Sequence, residues 1–398
     1  MKKIGLLPKL VIAIIVGILL GNLEIKPVIK LLATFNSLFG NFLGFAIPLI
    51  IIGFVASGIG DLGKGAGKLL TITAGLAYGS TIFAGLAAYF TSSLVLPLFL
   101  DVGSLSQQFA GTKDSVIQAF FKIEMPPIMG VMTALLIAFT LGLGITMIKG
   151  DTLKNAITDF QAIVEKLITR IIIPLLPLHI LGIFASMTYE GQVVTIISVF
   201  ARVFIMIISL HFIVIGLQYL IAGIIAGVNP FKLIKNMIPA YFTAIGTQSS
   251  AATIPVTVQQ TKLNGVDDGI TEFVIPLCAT IHLSGSTITL VSCAMAVMLL
   301  NGMSISIAVI FPFIMMLGVT MVAAPGVPGG AIMAALGLLE TMLGFSPPFI
   351  SLMMALYLAQ DSFGTACNVT GDGAIAIIVN KISGKQLDNS LNSGNIYG

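Results

Sequence analysis

The sequence has no tryptophan and very little charge. Of its 398 residues only 9% are Asp, Glu, Lys or Arg, against about 25% in an ordinary soluble domain, while 57% are hydrophobic. Mean hydropathy is +1.07. This charge deficit excludes a soluble globular protein and marks an integral membrane protein. The net charge of +3 is small and sits in loops, which excludes nucleic acid as a partner. Arginine is nearly absent, with Arg170 and Arg202 the only two. The three cysteines, Cys278, Cys293 and Cys367, fall inside apolar segments without CxxC spacing, so they read as small core residues and not as a disulfide framework. Strand-like alternation is missing, which rejects a β-barrel in favour of helices. Without Trp, any aromatic belt must come from Tyr and Phe.

What the chain does have is long apolar runs. A span needs about 20 mostly apolar residues. Spans are expected near 5–22, 28–58, 68–98, 127–148, 157–186, 193–226, 268–300 and 347–380. Met1-Lys2-Lys3 before the first run resembles a signal peptide, but no small-residue cleavage site follows Leu20, so a retained first helix is expected. The polar stretch 100–125 reads as an external connector.

Two further apolar runs, near 231–262 and 304–340, are broken in the middle. One break is Gly246-Thr247-Gln248-Ser249-Ser250-Ala251-Ala252-Thr253-Ile254-Pro255, the other Ala323-Ala324-Pro325-Gly326-Val327-Pro328-Gly329-Gly330. Non-helical backbone at membrane depth survives only where protein buries it or water wets it. Paired interruptions in corresponding places point to a transporter's midplane site. Lysines 2, 3, 9, 64, 68, 149, 154, 232, 235, 381 and 385 all fall on one side if both broken pairs re-enter without crossing, and the opposite loops near 187–192, 301–304 and 341–347 carry only Glu190. The positive-inside rule then gives eight crossings with both termini cytoplasmic. Residues 1–227 hold plain spans, and residues 228–398 hold both breaks and most of the intramembrane polar residues.

Ionisable residues at membrane depth are functional suspects by default. His282, Asp361 and Asp372 stand inside apolar segments of the second half. Asp361 and Asp372 are eleven residues apart on one helix, so they share a face about 16 Å apart. One carboxylate suits an ammonium group and the other a metal ion. His282 is either a helix contact or a proton carrier, while His179 and His211 in the first half read as structural. The hairpin tips offer amide donors for a substrate carboxylate and free carbonyls for Na⁺. No arginine is available there for a bidentate grip on a second carboxylate.

These residues resemble the glutamate transporter homologue family, the dicarboxylate/amino acid:cation symporters. The resemblance is specific at the serine-rich first tip, at Gly326-Val327-Pro328-Gly329, and at Asn368-Val369-Thr370-Gly371-Asp372 with Asp361 before it. It implies an all-α membrane protein with eight transmembrane helices, two re-entrant hairpins and inverted repeats. Residues 1–227 would form mainly a scaffold and trimerisation half, its third and sixth spans joining the transport domain; residues 228–398 would form the transport half. A homotrimer in lipid, in a bacterial cell membrane, follows from the same resemblance. Asp361 would hold the substrate's amino group, and Thr365, Asn368, Ser249 and Ser250 its carboxylate. Gln248, Ser286, Gly326, Val327, Pro328, Gly329 and Gly364 complete the implied substrate site. One sodium would lie at Asp372 with backbone oxygens of Cys278, His282 and Asn368. Another would lie between Thr280 and the Met321, Val322 and Ala324 end of the gate.

Two departures from the family pattern matter. Its Asn-Met-Asp-Gly-Thr is here His282-Leu283-Ser284-Gly285-Ser286, which removes the acid of a further sodium site beside Tyr78, Ser80 and Thr81 and makes His282 a candidate proton site. Gly364 and Gln248 stand where acidic-substrate members place arginine. The expected activity is cation-coupled symport, with Na⁺ and with H⁺ as a second candidate ion, of a neutral amino acid. The alternatives are an acidic amino acid or dicarboxylate symporter, or a channel on the same fold. An intramembrane enzyme is disfavoured, since two carboxylates three turns apart cannot share a proton.

Overall fold

A computed structural model describes residues 6–62, 67–103, 119–191, 193–321, 324 and 328–394. The expected connector's centre at 104–118, Met1-Lys2-Lys3, and the tip positions Val322, Ala323, Pro325, Gly326 and Val327 lie outside these residues. Among the described residues all regular structure is helical. The helices are α1 Leu6–Asn22, α2 Lys26–Leu62, α3 Gly67–Val95, α4 Val131–Met147, α5 Thr152–Leu167, α6 Ile173–Tyr189, α7 Val193–Ala226, α8 Pro230–Thr247, α9 Ser250–Leu263, α10 Asp268–Ile281, α11 Ser284–Leu300, α12 Ile307–Met321, α13 Gly330–Leu343 and α14 Pro347–Gly394. A π-helical turn, Ile168–Ile172, joins α5 to α6 just ahead of Pro174, whose missing N–H no regular helix could use.

Six helical stretches among the described residues are long and apolar enough to cross a bilayer: Lys26–Gly60, Leu69–Leu98, Thr152–Tyr189, Val199–Ala226, Asp268–Leu300 and Pro347–Ser383. Four shorter apolar helices accompany them: Pro8–Asn22, Thr133–Met147, Ile307–Met321 and Gly330–Leu343. The protein is thus an all-α, multi-span membrane protein.

The first tip forms as its residues dictate. Asn229 caps α8 by accepting from the Phe231 amide, with Pro230 in the first helical position where no N–H is needed. Gln248 then takes a left-handed conformation (φ 54°) and ends the helix. Extended Ser249 restarts it, its hydroxyl accepting from the Ala252 amide at 3.2 Å. Helices α8 and α9 pack on each other across this link. At the second tip Gly329 has φ 76°, a conformation that costs a side chain and suits glycine, and α13 starts at the next residue.

The span expected at 268–300 is present as a stretch long enough to cross, and it is built of two helices. His282 and Leu283 leave helical geometry between α10 and α11. The break persists because another helix satisfies it. The freed amides of Gly285 and Ser286 donate to Asn368 Oδ1 of α14 at 2.7 and 3.2 Å.

Helices α1, α2, α4, α5 and α6 pack mainly on one another. Helices α3 and α7 instead pack on α11 and α14, which are the most enclosed elements. All of α11 is buried, and Gly285 makes its approach to α14 possible, since a Cβ there would lie 2.4 Å from the Gly364 carbonyl oxygen.

Candidate functional site

The residues of α14 that matter recur on one face. Tyr357, Asp361, Gly364, Thr365, Asn368 and Asp372 follow helical spacing, which puts them in one stripe along α14. The stripe meets the first tip, the break of α10–α11 and the second tip. The backbone amide of Gly329 donates to Asp361 Oδ2 at 2.7 Å, so the second tip is tied directly to the carboxylate. Asn368, besides capping α11, donates from Nδ2 to Ser286 Oγ at 2.9 Å. Gln248, Ser250, Ser286, Ala324, Asp361 and Thr365 line a cavity of about 20 Å³ in this region, with room for about one water. Its described lining contains no Lys or Arg.

A second polar centre lies further along α14. His282 Nδ1 is 2.8 Å from Asp372 Oδ1, with both side chains buried. Ser80 of α3 lies 3.0 Å from His282 Nε2 and accepts from Gln218 Nε2 of α7 at 2.9 Å. With the His282 hydrogen on Nδ1, donors run in one direction, Gln218 to Ser80, Ser80 to His282 and His282 to Asp372. Gln218 Oε1 has no partner. Asp372 Oδ2 has no partner. Tyr219 donates to the Thr370 carbonyl at 2.8 Å and secures the same turn of α14.

The structure brings together Gln248, Ser250, Ser286, Asp361, Thr365 and Asn368 at the first centre, and His282, Asp372 and buried Cys278 at the second. Ser249 is used as the cap of α9. Gly364 faces α11: a Cβ there would sit 3.5 Å from the Ser286 amide nitrogen and from Thr289 Oγ1, in ordinary contact. Thr280 is exposed, with its hydroxyl on the Leu277 carbonyl. Met321 is buried, its carbonyl accepting from the Ala324 amide at 3.0 Å, and Pro328 is half-buried. Val322, Gly326 and Val327 lie outside the described residues. Among the described residues no three His, Cys, Asp or Glu side chains gather as a metal cage.

Sequence reasoning treated the first half as free of polar clusters, and this needs correction. Ser80, Gln218, Tyr219 and His211 all reach the centre from there, His211 lying 3.0 Å from the Gly285 carbonyl. Tyr357 was also missed. Its signal was position alone, one turn before Asp361.

An all-helical membrane protein with an interrupted span, two helix–break–helix units and buried carboxylates facing them is a secondary transporter by architecture. The chain belongs to the sodium:dicarboxylate symporter family, whose sequence profile matches residues 6–382. Among its relatives are proteins named serine/threonine transporter SstT. The one from Streptococcus thermophilus is 23% identical over 392 residues, covering 96% of each chain. The one from Acinetobacter baumannii (strain AYE) is 24% identical over 383 residues, covering 93% of this chain and 95% of its own. Human excitatory amino acid transporter 2 is 29% identical over 261 residues, 64% of this chain and 45% of its own length. The family consists of carriers and not of enzymes, so this chain is a cation-coupled symporter.

Proposed function

We propose that the chain carries a neutral α-amino acid into the cell together with Na⁺, by alternating access. The observation that carries this reading is the Asp361 carboxylate, held by the Gly329 amide and facing a cavity whose described lining has no cationic side chain. Asp361 takes the ammonium group. Asn368, Thr365 and the Ser249-Ser250 tip take the carboxylate. An acidic side chain would lie unpaired in this space, at a cost of roughly 2–5 kcal/mol for a truncated buried charge pair. Gly364 and Gln248 supply no guanidinium to prevent it. The relatives named for serine and threonine, which span nearly all of the chain, support a neutral substrate.

Sodium fits the second centre. Asp372 Oδ2 is a buried carboxylate oxygen without a hydrogen-bond partner, and incompletely compensated buried charge is costly. With backbone oxygens of Cys278, His282 and Asn368 it offers the hard oxygen ligands an alkali cation takes. A second sodium belongs between Thr280 and the Met321, Val322 and Ala324 end of the gate. A second reading concerns H⁺: the contact of His282 with Asp372 makes His282 its candidate carrier. Uptake that is independent of pH from about 5.5 to 8 would remove that ion from the mechanism.

Loading requires the two tips to part, because the cavity is far below the ~300 Å³ at which ligand sites begin. The transport half, 228–398 with α3 and α7, then moves against the rest of 1–227, which holds a homotrimer together in the cell membrane. Eight crossings, two re-entrant hairpins and cytoplasmic termini complete this picture. The acidic or dicarboxylate alternative and a channel are separated from it by one assay: saturable, counter-gradient uptake competed by neutral amino acids and not by aspartate or succinate.

A further inference from the structure

The amino-acid site proposed above contains one further buried polar group. Tyr357 is fully buried and lines the same cavity as Asp361, Ser286 and Thr365. Its hydroxyl lies beside the Asp361 and Ser286 side chains, within their electrostatic reach, without a hydrogen bond of good geometry to either. Of the described residues lining the cavity, it carries the buried polar atom without a partner. Asp361 accepts from Gly329, and Asn368 serves Gly285, Ser286 and the Ser286 hydroxyl. Ser286 Oγ accepts in that bond, which leaves its own hydrogen to give.

A buried hydroxyl without a partner costs on the order of 1–3 kcal/mol, and phenylalanine would fill the same space without that cost. The order of groups along α14 indicates what the hydroxyl serves. Asn368 lies about 10 Å along the helix from Asp361 in one direction, and Tyr357 about 6 Å in the other. A substrate with its ammonium on Asp361 and its carboxylate toward Asn368 has its β-carbon in the space that Tyr357 and Ser286 line beside Gly364. Two hydroxyls with hydrogens to give, Tyr357 and Ser286, await its side chain there.

We propose that Tyr357 is a specificity-determining residue whose hydroxyl bonds a side-chain hydroxyl of the substrate, so that the site selects short hydroxy amino acids, serine and threonine, over alanine. This rests on the neutral amino-acid reading of the same site. A site built to bond a hydroxyl discriminates strongly against the analogue lacking it, because its own polar groups are then left unpaired.

The test is uptake into proteoliposomes of serine, threonine, alanine and aspartate. Wild-type protein is expected to prefer serine over alanine by about tenfold or more in kcat/KM, the worth of one net hydrogen bond. In Tyr357→Phe that ratio is expected to fall about tenfold. An unchanged ratio overturns the proposal, and so does an equal loss for serine and alanine, which would make Tyr357 a positioning residue for Asp361. The wild-type ratio stands independently of whether the variant folds: serine and alanine taken up equally well also overturns it. Each of these failures leaves neutral amino-acid transport intact. Uptake of aspartate alone overturns both readings together.

Discussion

His282 and Asp372 come from different helices, ninety residues apart, and meet at 2.8 Å between Nδ1 and Oδ1 with neither reaching solvent. The meeting depends on the break after α10, which turns His282 out of its helix and toward α14. A hydrogen bond to a buried charged acceptor contributes about 1.5–3 kcal/mol. His282→Ala is expected to destabilise the purified protein by about that amount, as a lower midpoint in a thermal scan. An unshifted midpoint would mean that the contact contributes nothing to the fold.

Asp372→Asn keeps the shape of this pair and removes its charge. The expected result is loss of the sodium dependence of substrate binding, with substrate binding at saturating sodium weakened and not abolished. Coupling of cation and substrate is reciprocal, so the variant must also lose the effect of substrate on sodium affinity. Equilibrium binding of labelled substrate at several sodium concentrations reads both.

Asp361→Asn leaves an amide oxygen to accept from Gly329, so the tip stays attached. The substrate ammonium loses its carboxylate, which is expected to weaken binding by roughly 2–5 kcal/mol. Wild-type-like affinity for serine or alanine in this variant would refute the assignment of Asp361 to the amino group.

Gly364→Arg tests the missing guanidinium directly. A Cβ at this position meets its nearest neighbours at 3.5 Å, in ordinary contact. Aspartate is expected to become a competitor of uptake in the variant while neutral substrates lose affinity. Gly285→Ala is the contrasting case: its Cβ would fall 2.4 Å from a backbone oxygen of α14 and is expected to cost about 1–3 kcal/mol by overpacking. Gly216→Ala, with nothing within 4 Å, is expected to be neutral or stabilising in the same thermal assay.

Outside the spans, burial raises the pKa of Glu190 above the ordinary glutamate range. The native state therefore holds this proton more tightly than the unfolded chain does. Stability from this residue is greatest at low pH and falls as pH rises above about 4.3, the unfolded value. Glu190→Gln is expected to remove that decline, so that its stability advantage over wild type grows from pH 4 to pH 7. An advantage that is constant with pH would contradict the assignment.

Much of this was legible in the sequence, for definable reasons. The first tip announced itself because Thr247-Gln248-Ser249-Ser250 cannot continue an apolar helix, and the stripe on α14 because Asp361, Asn368 and Asp372 keep helical spacing. The break at His282–Leu283 was missed because Ser284-Gly285-Ser286 fits a small-residue helix interface as well as a helix start. What decides between the two is Asn368, more than eighty residues away, which caps the freed amides. The part played by Gln218 was hidden for the same reason, since it is a single polar residue in an apolar run, whereas Ser80 stood out with Tyr78 and Thr81. Tyr357 looks like one more apolar-run aromatic until its hydroxyl is found facing Asp361.

Uptake into proteoliposomes with separately imposed sodium and pH gradients decides whether sodium drives a neutral amino acid through this protein. An inward sodium gradient is predicted to drive saturable accumulation of a neutral amino acid against its own gradient, with excess aspartate unable to compete. Aspartate out-competing serine, alanine and threonine, or accumulation indifferent to the sodium gradient, would contradict the account.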